Sequence, residues 1–171
     1  MKLRSGTRHH GQQTPEEQPG THADTPPGGT ALVVGHDGHS AGDRALTTAV
    51  DLADKLGAHL HVAHSVTLED YGVDPDTDAF EEARDRNVAA ERERIATALA
   101  DTSVTWTYHE ERGEPAACLG RLAHNVDAAF IVVGASHHGL FRHTTSGAVS
   151  KHLLHDQDRP VLIVPEPLPS Q

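Results

Sequence analysis

The sequence predicts an α/β fold: one parallel sheet of five strands with helices on both faces. Two observations carry that expectation. Short apolar runs alternate with segments of helical period, in the succession βαβαβαβαβ, over about residues 30–165 of the 171. Such alternation marks a parallel sheet, whose neighbouring strands must be joined by crossovers. The second observation is the stretch Ala128 to Pro165: a continuous apolar run, about ten residues rich in histidine and threonine, a helical pattern, and a closing apolar run between Pro160 and Pro165. A loop of that length exceeds the usual βα connection of roughly 2–6 residues. It is expected at the carboxyl edge of the sheet, where open α/β folds bind their ligands.

Residues 1–29 combine Pro15, Pro19, Pro26, Pro27 and the pair Gly28–Gly29 with Gln, Thr and Glu, and hold no large apolar residue after Leu3. Such a composition cannot bury enough surface to offset its ordering entropy. It reads as a disordered tail ahead of one domain over 30–166, with 167–171 a short carboxyl tail. Ala31 to Gly35 is the first strand. Ser40 with Asp43 three residues later resembles a capping box. Ala45, Leu46, Ala49, Val50, Ala53 and Leu56 then mark the buried face of a helix that Gly57 stops.

His59 to Val66 reads as the second strand, with His61 and His64 interleaved among apolar residues. An acidic, irregular loop over 67–77 leads to a helix from Asp78 to Asp101, with Phe80, Ala83, Val88, Ile95 and Leu99 set against a charged, solvated face. Glu82 and Arg86 stand in the favourable i,i+4 order. Val104, Trp106 and Tyr108 alternate with threonines, as in a strand with one wetter face at a sheet edge. Gly113-Glu114-Pro115 starts a helix with proline in its first turn, buried through Ala116, Leu119, Leu122, Ala123 and Val126. Ala128 to Val133 is a strand with both faces buried and Gly134 ends it. Beyond the long loop, Val149, Leu153 and Leu154 anchor a fourth helix, and Val161 to Val164 form the last strand.

With 25 acidic and 14 basic residues, the formal net charge is −11. That balance repels nucleic acid and anionic membrane surfaces, so neither is an expected partner. Cys118 is the single cysteine, which rules out an intramolecular disulfide and fits a reducing cytoplasm. No apolar stretch approaches the roughly 18–20 residues of a membrane span. The first residues lack the apolar core of a secretion signal. Fifteen histidines are scattered along the chain and read as surface polar residues with ordinary titration.

Several pieces together resemble the universal stress protein family: VVGHDGHSAGDRAL, GAHLHVAHSV, RGEPAACLGRLAHNVDAAFIVVGASHHG and SGAVSKHLLHDQDRPVLIVP. The resemblance spans about residues 30–165. It implies a Rossmann-like sheet of the adenine nucleotide alpha hydrolase-like type, doubly wound, with strand order 3-2-1-4-5. The direction of sheet growth then reverses between strands 1 and 4, and Asp37 and the loop after Gly134 would flank the crevice. In nucleotide-binding members the aspartate after strand 1 helps hold adenine and ribose, and a pattern G-x2-G-x9-G-(S/T) wraps the phosphates. Glycines let backbone N–H groups approach an anion, and the hydroxyl adds a donor.

Here the pattern departs from the family's. Gly134 and Gly147 match its outer glycines, His137 stands where the second glycine belongs, and Ala148 replaces the hydroxyl. Ser65 replaces a usual apolar residue beside the adenine. Val133 and Val149 complete the candidate set. The expectation is a stress-response protein without enzymatic activity, pairing as a homodimer through its last strand, with a degraded ATP-binding loop. The alternative is an energy sensor that binds ATP or AMP, with Mg²⁺ only alongside ATP, in which His137, His138 and Arg142 side chains replace the missing groups. A phosphoacceptor receiver domain would need a lysine after the last strand, where Pro165 and Glu166 stand. Ser40, Ser136 and Ser150 lie in no G-x-S-x-G elbow. His137, His138 and His143, or His152 and His155, lack a third metal ligand at a diagnostic interval, so no metal site is expected and Cys118 reads as an inert core thiol.

Overall fold

The computed structural model describes residues 29–66, 78–135 and 158–167. The tails over 1–28 and 168–171, the acidic loop and the expected fourth helix lie outside these residues. The elements run β1 (Ala31–Gly35), α1 (Ser40–Leu56), β2 (His59–Val66), α2 (Asp78–Leu99), β3 (Trp106–Arg112), α3 (Pro115–Asn125), β4 (Phe130–Gly134) and β5 (Val161–Val164). All five strands are parallel, in the order β3-β2-β1-β4-β5. Leu32 lies between Leu60 and Phe130 in register, and Val34 between Val62 and Val132.

The period of two along β1 divides the core. Leu32 and Val34 face one layer with Leu46, Leu60, Val62, Ile95 and Leu99. Val33 faces the other with Leu119, Leu122, Ile131 and Val133. The strand is buried on both faces because helices cover both, hence its lack of polar alternation. Ile95, with no exposed surface, is worth about 1.5–3 kcal/mol of apolar burial.

Helix ends follow the local chemistry, with one correction. Gly57 closes α1 in the left-handed conformation (φ 60°, ψ 35°). The Glu114 carboxylate accepts the Ala117 N–H at 2.8 Å and caps α3 ahead of Pro115. The capping box at Ser40 does not form: Ser40 is already helical, and the N-cap His39 makes no side-chain cap bond. Asp43 turns instead toward His36 and Arg94. Leu56, expected on the buried stripe, is 48% exposed, because the stripe stops at Ala53.

β3 begins at Trp106 and runs through charged residues to Arg112, which an edge strand with a single neighbour tolerates. β4 is fully buried only over Ile131, Val132 and Val133, since Phe130 is exposed. The reading of the histidines as surface groups fails at His36, His59 and His61, which are buried. His59 meets the hydroxyls of Thr105 and Thr107 at 2.8 and 2.9 Å. Nδ1 of His61 lies 2.9 Å from Nε2 of His109. Burial, and then the charges of His109 and His59, push the His61 pKa down to about 4.

Candidate functional site

The sheet reverses its direction of growth at β1, which lies between β2 and β4. A crevice opens beyond the carboxyl ends of such a pair because their connections depart to opposite faces. The turn after β1 sits at this point. Its first residue still pairs with β2, His36 N–H donating to the Ala63 carbonyl at 2.9 Å. Asp37 follows and makes an Asx turn: Oδ1 accepts the His39 N–H at 3.0 Å, and the His39 ring donates Nδ1–H to the Asp37 carbonyl at 2.6 Å. The carboxylate is about half exposed.

Two glycines bring β4 and α1 against this turn. A β-carbon at residue 42 would lie 2.7 Å from Asp37 Oδ1, so the bare first turn of α1 leaves room for the carboxylate. A β-carbon at residue 134 would lie 2.0 Å from the Ala41 carbonyl oxygen. The end of β4 and the start of α1 are thus in backbone contact. Arg44 adds a tie across the same junction, Nη2 donating to the Ala135 carbonyl at 2.8 Å and Nη1 to that of Ser40 at 3.0 Å. Asp37 and Gly134, singled out from sequence, are brought together through Ala41 and Gly42.

The other candidates fare differently. The Val133 side chain belongs to the core on the α3 side, so it can offer the crevice only backbone. Ser65 follows His64 at the end of β2, but its hydroxyl donates to the Gly113 carbonyl at 3.4 Å, toward the β3–α3 junction. His137, Arg142, Gly147, Ala148 and Val149 lie outside the described residues, as do His138 and His143.

Sequence reasoning missed the polar cluster under the turn. Beneath Asp37 the buried His36 ring lies between Glu91 of α2 and Asp43 of α1, and Arg94 of α2 bonds both oxygens of Asp43, at 2.8 and 2.6 Å. Glu91 is itself buried. One signal was available: an apolar strand that runs directly into a histidine. Nothing distinguished Glu91 from the other acids of a charged helix.

Among the described residues, no group of three or more His, Cys, Asp or Glu side chains is arranged to hold a metal ion. Cys118 is buried, and burial raises its thiol pKa further into the protonated range. No helix of the described residues is long and apolar enough to cross a membrane.

The comparisons with known proteins agree with this architecture. The model of the universal stress protein family matches residues 30–165. The stress response protein NhaX of Bacillus subtilis is 26% identical over 163 residues, which cover 78% of this chain and 96% of that protein. A crystal structure of a universal stress protein family member from Burkholderia pseudomallei superposes with a TM-score of 0.60 at 25% identity, covering 80% of this chain and 96% of that one. A universal stress protein solved in complex with cAMP superposes with a TM-score of 0.56 at 25% identity, covering 79% and 95% of the two chains.

Proposed function

The chain belongs to the universal stress protein family, and from that membership we propose a non-enzymatic, cytoplasmic stress-response protein that works as a homodimer and holds an adenine mononucleotide weakly beside Asp37. One observation supports the ligand more than any other: Asp37 and Gly134 meet across Ala41 and Gly42 at the sheet's reversal point. A half-exposed carboxylate accepts hydrogen bonds from ribose hydroxyls, and a glycine at the start of a loop lets backbone donors reach an anion. A relative of the same fold was solved with cAMP.

The phosphate side argues for a mononucleotide such as AMP over ATP. His137 and Ala148 stand where the family pattern has a glycine and a hydroxyl, so fewer donors are available for a triphosphate. One phosphate asks less of such a loop, and the sequence places the always-charged Arg142 in it with His137 and His138. Mg²⁺ enters this reading only with ATP. The buried, protonated Cys118 is a poor nucleophile.

The dimer reading rests on β5, the last strand of the sheet. Leu162 on it and Phe130 on β4 are 38% and 36% exposed. An apolar edge of this kind needs cover, and a second copy pairing along β5 provides it. A second function, a stress protein that works by protein contacts without any nucleotide, is favoured by the same two departures at 137 and 148.

Calorimetric titration with AMP, and with ATP in the presence and absence of Mg²⁺, tests the ligand. The expected result is measurable heat with AMP and weaker binding of ATP. No heat and no thermal shift at millimolar AMP would remove the nucleotide and leave the protein-contact reading.

A further inference from the structure

His36 directly follows an apolar strand and opens a turn, yet its side chain is only 1% exposed. Both of its ring nitrogens meet carboxylates: Nδ1 meets Oε1 of Glu91, and Nε2 lies 3.2 Å from Oδ1 of Asp43. Ionised carboxylates accept and never donate, so both contacts are hydrogen bonds only when the ring carries two protons. The Gly38 N–H also approaches Nδ1, at 3.3 Å. A protonated nitrogen has no lone pair to accept it, and the shorter Glu91 contact decides the matter.

The groups around the ring come from three elements and the turn itself. α2 contributes Glu91 and Arg94, and α1 contributes Asp43. His64 of β2 donates Nδ1–H to the His36 carbonyl at 3.0 Å. Asp37 and His39 lie in the turn. Arg94 also reaches the turn from α2, Nη1 donating to the Gly38 carbonyl at 2.5 Å. The turn is therefore tied at its first residue through the His36 ring and carbonyl, and beyond Asp37 at the Gly38 carbonyl by Arg94.

A buried ion cluster is a weak source of stability, because desolvation offsets most of its attraction; apolar residues would serve as well for packing. Such clusters are better suited to selecting one conformation. We propose that His36 is a positioning residue for Asp37: its doubly donating ring ties the turn 36–39 to α1 and α2, and loss of one ring proton releases the turn. The inference rests on the reading of Asp37 as the residue that faces the nucleotide. Burial by itself would lower the His36 pKa, but the hydrogen bond and charge of Glu91, and then those of Asp43, outweigh it and raise the pKa above 6.5. The Glu91 carboxyl is lowered in turn, first by its hydrogen bond from His36. The tie is closed below the ordinary imidazole value and opens as pH rises through the raised one. Nucleotide affinity falls with it.

The experiment uses the full chain. Amide exchange at His39, whose N–H donates to Asp37, corrected for intrinsic base catalysis, is followed from about pH 6 to about pH 8.5, alongside the ring-nitrogen NMR shifts of His36. Protection is expected to fall by about tenfold for each pH unit between about 6.5 and the ring's raised titration, and to level off above it, with AMP affinity weakening over the same range. In Glu91→Gln both transitions move to lower pH, because the ring has lost its buried counter-charge. Exchange that follows intrinsic catalysis alone across the range overturns the proposal, as does a His36 ring found neutral near pH 6. The ring spectrum of the unaltered protein decides even if Glu91→Gln does not fold. If AMP binds at neither pH, the nucleotide reading fails, and the exchange profile still establishes or refutes the tie through His36.

Discussion

The carbonyl oxygen of Ala41 occupies the space beside Gly134 that a side chain would need, only 2.0 Å from where its β-carbon would be. The neighbour is backbone in the first turn of α1, and it cannot rotate away as a side chain would. Gly134→Ala must therefore move either the end of β4 or the helix start that frames Asp37. Overpacking of this sort costs about 1–3 kcal/mol. Urea unfolding is expected to show that loss, with AMP binding lost in the fraction that remains folded. An alanine variant of unchanged midpoint would show that the two backbones separate freely.

His61 predicts an acid limb in stability. Its folded pKa of about 4 lies below the ordinary 6.5, so the neutral buried ring contributes stability that is full above 6.5 and lost as pH falls toward 4. The loss at full protonation is on the order of 3 kcal/mol. His36 has the opposite sign: its contribution is full below 6.5 and disappears as pH rises through its raised pKa. The two windows do not overlap. Urea midpoints between about pH 7 and about pH 4 should fall steeply in the native protein and less steeply in His61→Gln, which cannot take up the proton.

The phosphate loop gives a gain-of-function test. His137→Gly with Ala148→Ser restores the glycine and hydroxyl of the family pattern. ATP affinity is expected to rise at least about tenfold, the worth of one or two added hydrogen bonds to a charged group. Calorimetry on the double variant and the parent reads this directly. Equal affinities would mean that side chains of the native loop already perform the wrapping.

At the β5 edge, Leu162→Lys places a charge on a residue already 38% exposed, so the folded monomer should tolerate it. Lysine on an edge strand opposes pairing with a second sheet. Sedimentation is expected to show a dimer for the native chain and a monomer for the variant, with unchanged circular dichroism. A variant that remains dimeric would put the interface elsewhere.

Much of the scaffold was legible in the order of residues alone. The strands at Ala31–Gly35, His59–Val66 and Val161–Val164 fall where the apolar runs put them, and Gly57 and Pro115 mark helix boundaries as their backbone chemistry requires. These are local properties, set within a few residues by period, φ and the presence of an N–H. The strand order came from resemblance, because pairing between distant segments leaves little trace in a single chain. Asp37 and Gly134 were found the same way, through a motif.

Tertiary structure alone decided which polar residues are interior. Glu91 looks like any acid on an exposed helix until the fold sets it against His36, 55 positions away. His59 and His61 look like surface groups until Thr105, just ahead of β3, and Thr107 and His109 on it arrive to bond them. A polar side chain can be buried only if a partner meets it, and here each partner comes from another element. Composition could count fifteen histidines. Which of them carries a proton depends on the carboxylates and rings that long-range folding places at hydrogen-bond distance.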